Sequence, residues 1–403
     1  MRIVLVGEAV VSSGMPNPSD RVTSVQLPMI PQVAEWIRAH PGTLSLGQGV
    51  AGYAPPPEAW TEVERLRREP LLNRYQAVDG LPALTEALRT KLAQVNGIEV
   101  GGGTALMVTA GANAAFQQVI VAICDPGDEV ILPVPYYFNQ EMALVLANVR
   151  PVLVPVGPGY ALDVEAIERA ITSRTRAVVT VSPNNPSGAV YPESTLRAVQ
   201  AMCVRRGLYH ISDETYEAFT FGGVRHVSPG AFPGAEGHTI SLFSFSKAYG
   251  FASWRMGCVV YPEALVTGMR KIQDTLLVCP PVVSQLAAVG CLKAGREWLA
   301  GRVEEVARTR AKVLQGLEAI RDLAEWGPSD GAFYVLLKLR ERVDVIELTR
   351  RLIAEHRVAV IPGTAFGVNG NACLRVAYGA LTPDTAEEGV GRLVEGLRAL
   401  IRR

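Results

Sequence analysis

Between about residues 70 and 290, short apolar runs alternate with stretches whose apolar positions recur at helical spacing. The runs Ala105–Gly111, Glu129–Pro133, Pro151–Val156, Arg176–Val181, Leu208–Ser212, Thr239–Phe243 and Met256–Tyr261 predict strands. Ala112–Cys124, Tyr137–Ala147, Asp163–Ile171 and Pro192–Arg206 predict helices, the first stopped by Asp125-Pro126-Gly127-Asp128 and the last by Gly207. Near-continuous apolar strands separated by helices indicate an α/β unit with a mostly parallel sheet between two helical layers. In such sheets ligands bind beyond the carboxyl ends of the strands.

After residue 290 the pattern changes. Glu297–Ile320 predicts a long amphipathic connecting helix, its charges three and four residues apart. A strand (Ala332–Leu337), a helix (Val345–His356), short strands at Val358–Ile361 and Leu374–Val376, and a last helix from Pro383 complete a smaller α+β unit. The expected division is an N-terminal segment 1–49 packing mostly with the small domain, a large cofactor-binding domain 50–292, and a small C-terminal domain 293–403. The apolar run in Met1–Val11 is broken by Glu8 and lacks a cleavage pattern, so a short strand or loose leader is expected there.

Composition narrows the partners. The 403 residues are 48% hydrophobic and 19% charged, with formal net charge zero. No general electrostatic attraction to nucleic acid or an anionic membrane follows from that balance. Six scattered cysteines without a CxxC predict reduced thiols, a cytoplasmic location and no metal site. No window holds the roughly 18 apolar residues of a spanning helix.

One candidate for chemistry misleads. Gly47-Gln48-Gly49-Val50-Ala51-Gly52 fits GxGxxG, but the dinucleotide fingerprint must open a helix, and the consecutive Pro55-Pro56-Pro57 forbid it. A glycine-rich turn approaching a ligand is the better reading. Other polar clusters fall at predicted strand ends. Thr109-Ala110-Gly111-Ala112-Asn113 is a strand-to-helix junction suited to an anion, or an ordinary tight turn. Ser182-Pro183-Asn184-Asn185-Pro186-Ser187-Gly188 offers amides, or turn chemistry only. In Ser212-Asp213-Glu214-Thr215-Tyr216 an acidic pair follows a buried strand; at that depth a carboxylate needs a cation or strong hydrogen bonds, unless it only caps a helix. Ser244, Ser246 and Lys247 follow the next strand, with Arg255 within reach. Together these supply an amine, a carboxylate, a phenol, an amide and a phosphate cradle at one sheet edge. That set matches what pyridoxal phosphate requires.

In sequence the motifs are Asn73-Arg74-Tyr75…Gly80, Gly111-Ala112-Asn113, Asn185-Pro186-Ser187-Gly188, Asp213-Glu214-Thr215-Tyr216, Ser244-Phe245-Ser246-Lys247 with Arg255, and Leu374-Arg375-Val376. From about Leu44 to Ala399 the chain resembles the fold-type I, class I/II pyridoxal-phosphate aminotransferases. The resemblance implies that Lys247 is the Schiff-base lysine and the base that moves the proton between substrate Cα and cofactor C4′. It implies that Asp213 pairs with the pyridinium nitrogen, that Tyr216 and Asn185 bond the ring 3′-oxygen, and that Tyr137 stacks on the ring. The phosphate falls to Gly111-Ala112-Asn113 through its backbone amides, to Ser244, Ser246 and Arg255, and to the partner subunit's Tyr75. Arg375 clamps the substrate α-carboxylate, assisted by Asn185 and a backbone N–H of Gly49. A homodimer with shared sites, ping-pong kinetics, and an amino acid and a 2-oxo acid as substrates are implied with it.

Aspartate-specific relatives use a second cation for the distal carboxylate. The corresponding stretch here, Ile272–Ser284, has no arginine, and Asn113 stands where others place a lysine, although Arg21 could serve. Leu46-Gly47-Gln48-Gly49 followed by Tyr53 resembles the branch with kynurenine, glutamine and methionine aminotransferases, so aromatic or neutral amino acids are favoured. Two alternatives stay open. A fold-type I lyase performing β-elimination keeps every residue named above. A non-catalytic aminotransferase-like ligand sensor requires a DNA-binding domain, for which few residues precede the first motif.

Overall fold

The computed structural model describes residues 16–370 and 372–401. The run Met1–Val11, expected as a strand or leader, lies outside the described residues. The large sheet has seven strands in the order Thr104–Thr109, Gly257–Pro262, Thr239–Ser244, Tyr209–Asp213, Thr175–Val181, Glu129–Val134, Arg150–Pro155. Every pairing is parallel except the two made by Gly257–Pro262. Thr104–Thr109, beyond that reversed strand, again runs with the majority. The carboxyl ends at Thr109, Val181, Asp213 and Ser244 therefore share one edge. Apolar side chains lie buried on both faces, as the unbroken apolar runs require.

A four-stranded antiparallel sheet, Ile361–Pro362, Cys373–Ala377, Tyr334–Leu339, Ala324–Glu325, forms the smaller domain with helices Gly295–Leu317, Val345–His356 and Pro383–Ile401. The N-terminal segment joins it through Leu44–Ser45, which pairs in parallel with Val358–Ala359. The single strand expected at 358–361 is thus two pieces in two sheets, because Ile361–Pro362 pairs with Cys373–Ala377 instead. The strand expected to begin at Ala332 begins at Tyr334; Ala332 has φ of 55°, outside the extended region.

Helices Met29–Ala39, Pro57–Val63, Pro82–Lys91, Val266–Leu277 and Val282–Lys293 had no sequence-based assignment. In Val282–Lys293 residues 284–291 are all buried, so no polar face marks the helical period. The proline run does not exclude a helix beyond it: Pro57 is the first residue of Pro57–Val63, where the missing N–H has no partner to lose. All six cysteines are free. Among the described residues no single helix is long and apolar enough to cross a membrane.

Helix Val282–Lys293 crosses Pro57–Val63 at Gly290, where a Cβ would sit 2.2 Å from the carbonyl oxygen of Glu58. Alanine would gain about 1 kcal/mol of helix propensity. Overpacking against backbone that cannot rotate away opposes this by about 1–3 kcal/mol. Gly290→Ala is expected to lower the urea unfolding midpoint. Gly268→Ala, in helix Val266–Leu277 with nothing within 4 Å of the new Cβ, is expected to raise it. Shifts of the same sign would refute the packing argument.

Candidate active site

Where the carboxyl edge of the large sheet faces the small sheet lies a cavity of about 490 Å³. Lys247 enters it three residues past strand Thr239–Ser244, on the short helix Phe245–Ala248, whose cap Ser244 accepts a hydrogen bond from the Ser246 amide. The lysine is held at both ends. Its Nζ donates to the Gly49 carbonyl at 2.6 Å, and the Tyr53 hydroxyl donates to its backbone carbonyl at 2.9 Å. Burial pushes the amine down to about 8; Arg375 and Arg255 push the same way and Asp213 opposes them.

Asp213 ends strand Tyr209–Asp213 with its carboxylate buried in the cavity. Gln140 Nε2 donates to Oδ2 at 2.9 Å and the Thr215 amide to Oδ1 at 3.1 Å. Neither donor is a cation. Burial, with the charge of Glu214 added, therefore pushes the carboxyl up against those hydrogen bonds. Glu214 points elsewhere, to His226 and Ser228, so the acidic pair divides between two environments.

Arg375, on strand Cys373–Ala377, is only 1% exposed. Its Nη1 donates to Asn185 Oδ1 at 3.0 Å and its Nη2 to the Gly47 carbonyl at 2.7 Å, while Nε is buried without a partner. The guanidinium lies between the rings of Tyr334 and Phe366, at 4.6 and 4.8 Å from their centroids. Among the described residues no carboxylate lies within ion-pair distance of it. Arginine can only donate, so it claims the Asn185 oxygen and leaves the amide nitrogen as a free donor. Tyr216 is buried nearby, its hydroxyl 2.6 Å from that of Tyr334.

At the other end, helix Ala112–Ile123 points its first amides, which have no intrahelical acceptors, into the cavity. Gly111 caps it at φ 86°, and a Cβ there would fall 2.5 Å from Arg255 Nη2. Arg255 Nη1 reaches Ser246 Oγ at 3.4 Å and the Ala252 carbonyl at 2.9 Å. Tyr137 lines the wall, its hydroxyl accepting from Asn139 Nδ2 at 2.9 Å.

Of the residues expected from sequence, Lys247, Asp213, Tyr216, Ala112, Asn113, Tyr137, Asn185, Ser244, Ser246, Arg255, Arg375 and Gly49 line this cavity. Gly111 stands behind it as the helix cap. Tyr75 does not reach it within one chain and is 84% exposed. Gly49 turns its carbonyl to Lys247, whereas an N–H was expected to face the ligand. Gln140 and Tyr334 were missed. Gln140 follows Tyr137 by one helical turn, a spacing that could have found it. Tyr334 shares a sheet face with Arg375, because Leu336 is the direct partner of Arg375 and Tyr334 lies two residues along. Only the strand register reveals that neighbour.

The cavity thus gathers a buried amine, the free amides of a helix start and, among the described residues, a carboxylate without a cation and a guanidinium without an anion. The chain belongs to the family of aminotransferases of class I and II, whose profile matches residues 41–393. It is a transaminase. An aromatic aminotransferase of Arabidopsis thaliana is 34% identical over 394 residues, covering 95% of this chain and 97% of that protein. An aspartate aminotransferase of Pyrococcus abyssi is 32% identical over 390 residues, covering 94% and 98%. Among solved structures, the Thermus thermophilus aspartate aminotransferase with maleate has a TM-score of 0.87 at 31% identity, covering 95% of this chain and all 100% of that one. The aromatic aminotransferase of Pyrococcus horikoshii has a TM-score of 0.83 at 31% identity, covering 91% and 99%.

The lowered basicity of Lys247 can be measured without turnover. Competitive acylation of the cofactor-free protein, read by peptide mass spectrometry, is expected to label Lys247 with a pH midpoint of about 8. A midpoint at the ordinary lysine value of about 10.4 would refute the desolvation argument.

Proposed function

We propose that the chain is a pyridoxal-phosphate-dependent aminotransferase that takes the amino group of aromatic or other bulky neutral L-amino acids and passes it to a 2-oxo acid by a ping-pong mechanism. The observation that carries this reading is one cavity holding a buried amine of lowered basicity, a buried carboxylate with no cationic partner and a buried guanidinium with no anionic one. Each lacks the group that the cofactor or substrate brings. Pyridoxal phosphate supplies the aldehyde that captures the amino group and the pyridinium ring that takes up electrons released at Cα.

The chain's own residues divide the remaining work. Asp213 holds a proton on the ring nitrogen; a cation there would lower its raised pKa and keep it ionised. Tyr216 and the free amide nitrogen of Asn185 donate to the ring 3′-oxygen, and Tyr137 covers one ring face. The first amides of helix Ala112–Ile123, with Ser244, Ser246 and Arg255, bind the phosphate, and Gly111 keeps space for that guanidinium. Arg375 grips the substrate carboxylate with a fork that lysine lacks. Lys247, neutral above about pH 8, removes the proton at Cα.

The only cationic side chains on the cavity wall, among the described residues, are Lys247, Arg255 and Arg375, and each has one of these tasks. Ile30, Val50 and Phe138 supply apolar wall beside them. That wall, with relatives named as aromatic aminotransferases, supports the preference for neutral side chains over a second carboxylate. Tyr75 and Leu276, 84% and 62% exposed, suit burial in a homodimer in which the partner subunit's Tyr75 completes the phosphate site. The free thiols suit a reducing compartment, and the cytoplasm is the proposed location.

A scan of amino donors against several 2-oxo acids tests this directly. Phenylalanine or tyrosine should exceed aspartate in kcat/KM by at least about tenfold. Ammonia release independent of any oxo acid would mark a lyase and overturn the proposal. Lys247→Ala should form no oxo-acid product. Asp213→Asn should retain the cofactor yet lose about 100-fold or more in kcat; unchanged turnover would sink the assignment of Asp213.

A further inference from the structure

We propose that Tyr334 is a positioning residue: its hydroxyl donates to Tyr216 and so commits the single Tyr216 proton to the 3′-oxygen of the bound cofactor. The inference rests on the role given above to Tyr216. The two hydroxyls lie 2.6 Å apart, both side chains are buried, and their rings meet edge to face at 5.4 Å. A phenol carries one proton, so Tyr216 cannot donate to Tyr334 and to the cofactor at once. Arg375 opposes the effect of burial on both phenols, but its guanidinium stacks on the Tyr334 ring, 4.6 Å from the centroid, and so most favours loss of proton density from that hydroxyl. The more acidic phenol is the better donor, which gives the order Tyr334, Tyr216, cofactor oxygen.

The placement leaves the Tyr334 hydroxyl little alternative. A Cβ at residue 49 would lie 2.4 Å from it, so only glycine there admits the hydroxyl beside Tyr216. Arg375 and Tyr137 act on both phenols, and Lys247, Asp213 and Arg255 share the wall of the same cavity. Tyr334 therefore touches the carboxylate-binding guanidinium through its ring and the cofactor-binding phenol through its hydroxyl. The inference concerns the hydroxyl alone.

Tyr334→Phe keeps the ring against Arg375 and removes only the oxygen. A donor to the 3′-oxygen stabilises the form with most charge there, which is the deprotonated form of the bound cofactor. Weakening that donor should move the pH midpoint of cofactor absorbance upward by about half to one pH unit in the holoenzyme. kcat should fall about fivefold, with KM for the amino donor changed less than about twofold. Tyr216→Phe should move the midpoint further, and adding Tyr334→Phe to it should move it no more, since the effect passes through Tyr216. A downward shift in Tyr334→Phe would mean that Tyr334 competes for the Tyr216 proton, and would overturn the inference. An absent shift, or one that persists on the Tyr216→Phe background, would also overturn it. Should Tyr216→Phe itself leave the midpoint unmoved, the assigned role of Tyr216 fails first.

Discussion

A guanidinium buried to 1% exposure, with no carboxylate beside it among the described residues, is the constraint on which the rest of this architecture depends. Removing such a charge from water is unfavourable unless its donors are satisfied and its faces covered. Arg375 meets that need with groups drawn from distant parts of the chain. Gly47 comes from the N-terminal segment, Asn185 from the loop after Thr175–Val181, and Tyr334 and Phe366 from the small domain. Two of five N–H donors are thus engaged, and Nε is buried without a partner.

The same logic runs through the opposite wall. Parallel strands deliver Ser244 and Asp213 to one edge, and chain reversal after each strand turns the next polar residues into the cavity. Asp213 is held by neutral donors, Lys247 by a carbonyl, and the helix at Ala112 by nothing within its own first turn. The charges are near one another yet unpaired. Direct pairing of Lys247 with Asp213 would satisfy both and leave neither available. The carbonyl of Gly49 takes the amine instead, from a segment tied to the small sheet by Leu46, Gly52 and Gly379.

Much of this was legible along the chain because parallel strands buried on both faces print as apolar runs, and their polar ends mark one edge. The seven large-sheet strands were located within a residue or two on that ground. A helix buried through its middle prints no period, so Val282–Lys293 was silent, and its partner Pro57–Val63, with only Ala59 and Glu62 buried, is too short for a period to show. Residues 358–361 were read as one strand because pairing in two sheets leaves no mark on a single apolar run. In the site, Lys247 and Asp213 were found because charged residues at or just past the ends of apolar strands violate the burial pattern, whereas Arg375 was reached only through the resemblance to the family. Tyr334 violates nothing. An aromatic in a strand of a buried sheet reads as core, and only the register with Arg375 shows that it also faces the cavity.

The glycines at 47, 49 and 52 mimic a dinucleotide fingerprint for a reason that has nothing to do with pyrophosphate. Each meets a close approach from a different direction. A Cβ at Gly47 would press on Ile361 at 3.1 Å, one at Gly49 on the Tyr334 hydroxyl at 2.4 Å, and one at Gly52 on the carbonyl of Ala380 at 3.0 Å. The segment is threaded between the small sheet and the lysine, with its Gly47 carbonyl on Arg375 and its Gly49 carbonyl on Lys247. Two carbonyls two residues apart therefore engage the guanidinium of Arg375 and the amine of Lys247. A short stretch hydrogen-bonded to both, with glycine at each of the two carbonyls, ties the guanidinium and the amine to one segment of backbone.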